Sequence, residues 1–105
     1  LSSVLFMAFK PAEKTTTVGS LEPYILVEIY EIPNYKDKGI HIHYGGAKTE
    51  VIPFKEFKSD NHDDNADIIL GSINKLVAMG FEIESTSAGM TESGIITKVF
   101  MRKRQ

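Results

Sequence analysis

The side chains able to do chemistry are few, and the first are two histidines one residue apart in Ile40-His41-Ile42-His43-Tyr44. Strict alternation of apolar and polar residues is the strand period, so His41 and His43 project from one side of a strand. Two imidazoles placed this way chelate a divalent metal when a third ligand converges on them. The candidates for a third are His62, Asp60, Asp63 and Asp64. The stronger reading of the pair is the polar face of an ordinary alternating strand, and sequence distance does not bring His62 to it. The acidic run Asp60-Asn61-His62-Asp63-Asp64-Asn65 lacks the Asp-x-Asp-x-Asp-Gly spacing and distant glutamate of a calcium loop. It reads instead as the start of a helix, with side chains able to accept orphan N–H groups.

Glu82 and Glu84 share one face of a strand, as the paired carboxylates of a glycosidase do, but exposed alternation accounts for them without catalysis. Ser85, Ser87 and Ser93 have no histidine beside them in sequence and no strand-turn-helix elbow around them. Neither Gly45-Gly46 nor the glycines between Gly89 and Gly94 precede a helix start, so neither cradles a phosphate. With no cysteine in the chain, a thiol nucleophile, a thiolate zinc site and a disulfide scaffold are excluded. No catalytic set, metal site or cofactor signature emerges, and the chain reads as non-catalytic.

The elements that hold these residues are clearer. Ala66, Ile69, Leu70, Ile73, Leu76 and Val77 recur at helical spacing, with Asp67, Ser72, Asn74 and Lys75 opposite. Gly80 stops this helix as a left-handed C-terminal residue. Phe81 to Thr86 then alternates as a strand, Ala88 to Gly94 forms a turn, and Ile95 to Arg102 is a last strand. Upstream, Tyr24 to Ile32 is the first strand and Ile40 to Tyr44 the second. Gly45 to Lys48 turns into Thr49 to Phe54, which Pro53 assigns to a sheet edge. The result is an α+β domain, β-β-β-α-β-β, with a mainly antiparallel sheet of four to five strands and one helix on one face.

The run Ile69 to Lys103 combines a helix ending in Met79-Gly80, a strand starting Phe81-Glu82-Ile83-Glu84-Ser85 and a final strand ending Phe100-Met101-Arg102-Lys103. With Tyr24-Ile25-Leu26-Val27-Glu28-Ile29 as the first strand, it resembles a family of small bacterial domains of unknown function. This chain departs from the simplest of them in an extra hairpin before the helix and in Phe81 where tryptophan is frequent. The resemblance implies a fold and no known activity.

At 105 residues, 42% hydrophobic and 25% charged, the chain is one ordinary globular domain with a single modest core. A net charge of −2 argues against a nucleic-acid partner, and Arg102-Lys103-Arg104 is too short a run to give more than a few phosphate contacts. No apolar run is long enough to span a membrane. Leu1 to Phe9 is a compact apolar stretch followed by polar Lys10 to Ser20, the pattern of a truncated signal peptide and linker, so residues 1–20 divide from a domain at 21–105. The expected location is then the cell envelope, periplasmic, or secreted. If Leu1 to Phe9 is a genuine strand, it is cytoplasmic.

One helix covers one face of such a sheet, yet the first and last strands are apolar on both faces. If Ile25, Val27, Ile29, Ile40, Ile42, Val99 and Met101 meet the helix, then Tyr24, Leu26, Tyr30, Ile96 and Phe100, with His41 and His43, line the open side. Such a patch is typical of an interface. The expected partner is a second copy in a homo-oligomer or an unidentified protein. The alternative is a small ligand or metal bound on the same face, or the segment Val4 to Phe9 as a lid.

Overall fold

A computed structural model describes residues 23–104 of the chain. The apolar run Leu1 to Phe9 and the linker behind it lie outside the described residues. Five strands form one antiparallel sheet: β1 (Tyr24–Glu31), β2 (Gly39–Gly45), β3 (Lys48–Pro53), β4 (Phe81–Met90) and β5 (Ile95–Lys103). A single α-helix, α1 (His62–Ala78), connects β3 to β4 after a short 3₁₀ turn at Ser59–Asn61. The spatial order is β3-β2-β1-β5-β4, so β1 lies at the centre and Pro53 ends an outer strand, where its missing N–H costs no ladder bond.

Register sorts the side chains onto two faces. In β1, Leu26 stands between His43 and Phe100, Glu28 between His41 and Lys98, and Tyr30 next to Ile96. The alternate set, Ile25, Val27 and Ile29 with Ile40, Ile42, Val99 and Met101, is buried under α1. Leu76 from the helix, Phe81 from the start of β4 and Phe54 from the loop after β3 complete that core. Each such aliphatic contributes roughly 1.5–3 kcal/mol when fully buried, so the helix-facing half of the sheet holds the stability of the domain.

The buried stripe of α1 differs from the one its spacing predicts. Ser72 and Leu76 are buried and Ile68, Ile69 and Ile73 pack beside them, whereas Leu70 is 59% exposed and Val77 is also exposed. Burial of Ser72 in this orientation leaves no unpaired polar atom, since its hydroxyl donates to the Ile68 carbonyl at 2.8 Å, one turn back. The start of the helix is also different. No side chain caps it, and the asparagines and acids there secure the preceding loop. Asn65 accepts from Lys55 N at 2.8 Å and donates to Lys55 O at 3.2 Å, while Asp64 pairs with the Lys55 ammonium at 2.9 Å.

Gly80 does terminate the helix, with φ +101°, and its carbonyl accepts from Arg104 N. The following strand runs on to Met90 rather than ending near Thr86, because Ser85 to Met90 pairs residue by residue with Phe100 to Ile95. Gly94 closes this hairpin against β1, where an added Cβ would run into the Glu31 carbonyl.

Candidate functional site

The open face of the sheet brings together every interface residue expected from the sequence. Tyr24, Leu26, Tyr30, His41, His43, Ile96 and Phe100 all lie on the side away from α1, as their register with β1 requires. Two of them, Tyr24 and Phe100, are well exposed, and Leu26 sits half-buried beside Phe100.

At the middle of this face is a polar network centred on Glu28. The carboxylate accepts from His43 Nε2 at 2.7 Å and from the Tyr30 hydroxyl at 3.2 Å, with the Lys98 ammonium 3.7 Å away. The other ring nitrogen, Nδ1, lies 3.2 Å from the Thr49 hydroxyl. His41 Nε2 donates to the Asp37 carbonyl at 2.8 Å, and its ring meets Tyr30 edge-on at 4.6 Å between centroids. Tyr35 adds a third ring 5.5 Å from Tyr30. Burial pushes the Glu28 carboxyl up, but the hydrogen bonds from His43 and Tyr30 and the nearby positive charges outweigh it and hold the group below the usual carboxylate range. Burial, with the neighbouring Glu28, pushes the Tyr30 phenol up.

Glu28, Thr49 and Lys98 escape a motif search because no sequence spacing joins them. The signal is there all the same: in the alternation of β1, Glu28 is a lone acid among Tyr24, Leu26 and Tyr30 and must find partners across the strands. The hydroxyl-imidazole-carboxylate order of Thr49, His43 and Glu28 is the connectivity of a nucleophile, base and orienting acid. Here it lies on a flat face. The β1 and β2 backbones beside it are each paired with a strand on both sides.

His62 and its acidic neighbours do not join His41 and His43. His62 lies at the start of α1, on the helix side of the sheet. Among the described residues no three His, Asp or Glu side chains converge as a metal site. Glu82 and Glu84 do share the open face, but they face Arg102 at 3.8 and 3.4 Å, and Tyr24 OH reaches Glu84 at 3.5 Å. They are the acidic half of a charge cluster rather than a free carboxylate pair.

A second candidate lies on the helix side, where a cleft of about 660 Å³ opens between the end of β1, the loop after β3 and the first turns of α1. Phe54, Phe57, Ala66 and Ile69 line its apolar part, and Glu31, Lys58 and His62 stand at its polar part. The sequence gives no periodic sign of it, since the loop from Phe54 to Lys58 is placed by the Asn65 bonds to Lys55. Comparison of the chain with protein-family models, with curated proteins and with solved structures returned no match.

Proposed function

We propose that this chain is a non-catalytic association domain that engages a protein surface through the open face of its sheet. The observation carrying this reading is the exposed Tyr24 and Phe100 with Leu26 between strands, bordered by Arg102, Lys98 and their acidic partners. Aromatic and arginine side chains in the middle of a patch are the groups that contribute most when a protein interface dries. The Glu28 network fixes the neighbouring rings before any partner arrives, which lowers the ordering cost of binding. An exported setting belongs to the same proposal and rests on the apolar run Leu1 to Phe9 alone.

A photo-reactive residue in place of Phe100, in cells that make the protein, is expected to give one discrete adduct. Adding Leu26→Lys to that chain should abolish the adduct, and the same photo-reactive residue in place of Asp67 on the outer helix surface should give none. Equal adducts from both sites, or none from position 100, would defeat the proposal. The adduct mass separates a second copy from another protein. The helix-side cleft favours a second reading, binding of a small apolar ligand. A fluorescent apolar probe bound by the wild type and lost on Ile69→Lys, but not on Phe100→Glu, would support it.

A further inference from the structure

The two outer strands of the sheet are treated very differently. β3 is six residues long and ends in Pro53, and the Lys75 ammonium from the helix holds its Glu50 at 2.7 Å. β4 is ten residues long, and every residue after Phe81 is exposed. It contains no lysine, arginine or proline, and Ser85 to Met90 is uncharged. Lysine, proline, short length or a covering element are the usual ways in which a sheet edge is kept from pairing. The bulge between Ile83 and Ser85 and the charges of Glu82 and Glu84 are such devices in β4, and all lie in its first half. Phe81 at the start of β4 is buried in the core, but the helix side of the strand beyond it is uncovered. Ile83, Met90 and the adjoining Ile95 are exposed there, with Met90 at 84%.

We propose that β4 pairs antiparallel with β4 of a second copy, joining two sheets into one of ten strands. The two-fold axis of such a pair stands perpendicular to the sheet, so both helices lie on the same side and the contact closes as a dimer. Charge selects the antiparallel alignment. Glu82 and Glu84 occupy one end of β4, beside Arg102, Lys103 and Arg104. Glu92 occupies the turn at the other end. A parallel pair would set Glu82 and Glu84 against their own copies, which destabilises directly opposed positions. The antiparallel pair separates them and brings Glu92 of each copy to the Lys103-Arg104 end of the other. The exposed Ile83 and Met90 side chains of both copies then lie together on the sheet between the two helices, which removes apolar surface from water. On the opposite side, the two open faces become one continuous surface, with a single strand pair between the Phe100 strands.

The test uses the full chain in analytical ultracentrifugation and hydrogen exchange across a wide concentration range. A dimer is expected, with protection of β4 amides that rises with concentration. Ala88→Lys puts a charge on the bare side of the edge without touching the core and should shift the chain to monomer with unchanged circular dichroism. Glu92→Lys should weaken the dimer about tenfold, roughly 1.4 kcal/mol, because the two-fold axis removes two exposed ion pairs at once. Arg104→Glu in the same chain should restore it. A chain monomeric at all concentrations would overturn the inference. So would β4 protection independent of concentration, or a dimer broken by Phe100→Glu and indifferent to Ala88→Lys and Glu92→Lys. The last result would place self-association on the open face and leave the reading of that face standing.

Discussion

The two faces of the central strand solve opposite problems with the same backbone. Toward the helix, Ile25, Val27 and Ile29 are buried among other aliphatics and need only shape and dryness. Away from it, Leu26, Glu28 and Tyr30 lie half-buried, and the carboxylate among them is held by three neighbours. The first face tolerates no charge. The second is already organised around one. The stability centre and the proposed binding face thus sit one residue apart along the same strand, and each is expected to be alterable with little change to the other.

The largest way to break this contrast is Leu76→Asp. It places a carboxylate without a partner in the driest part of the core and should leave no cooperative unfolding transition, since several kcal/mol is most of the stability of a domain this size. Circular dichroism during heating checks it.

On the open side, Glu28→Leu removes the acceptor of His43 and Tyr30 together. The expected loss is about 1–3 kcal/mol in urea unfolding, the cost of leaving partly buried donors unpaired, with the fold retained. A loss as large as that of Leu76→Asp would make the network part of the core.

The pH dependence sharpens the same point. Glu28 and Glu50 both titrate below their ordinary value of 4.5 in the folded state. Glu50 is lowered by hydrogen bonds from Lys75 and Tyr44. A depressed folded value means that their contribution is complete above the unfolded value and is lost as pH falls through the folded one. Stability should thus decline below about pH 4.5, and less steeply in Glu28→Gln. Tyr44 runs the other way: burial and its 2.8 Å bond to Glu50 push it up to about 12 from 10.0. Its contribution is complete below pH 10 and is lost on the way to about 12, a step that Tyr44→Phe should remove. The smallest effect is expected from Lys75→Ala, below about 1 kcal/mol, because the ion pair to Glu50 is open to solvent on both sides.

Much of this arrangement is legible from periodicity. The alternation of Tyr24 to Glu31 and of Ile40 to Tyr44 assigns each side chain to its face, and Gly80 marks the end of the helix. What periodicity does not carry is contact between distant segments. The helix stripe turns away from Leu70 and Val77 toward Ser72, whose burial is permitted because its hydroxyl satisfies itself on the turn before it. β4 continues through Ser85-Thr86-Ser87-Ala88-Gly89, residues with no apolar alternation, because β5 supplies the pairing. The Glu28 network joins three strands and the cleft joins a strand, a loop and a helix, so neither leaves a local pattern.

The separation of roles is tested most directly by two neighbours on β5 that point to opposite faces. Val99 is 5% exposed against the helix, and Phe100 is 42% exposed on the open side. Urea unfolding of Val99→Glu and Phe100→Glu, measured side by side, should give no cooperative transition for the first. The second should keep a cooperative transition with an unfolding free energy within about 1 kcal/mol of the wild type. Comparable collapse in both would contradict the account, because Phe100 would then belong to a second core and the open face would not be free to bind.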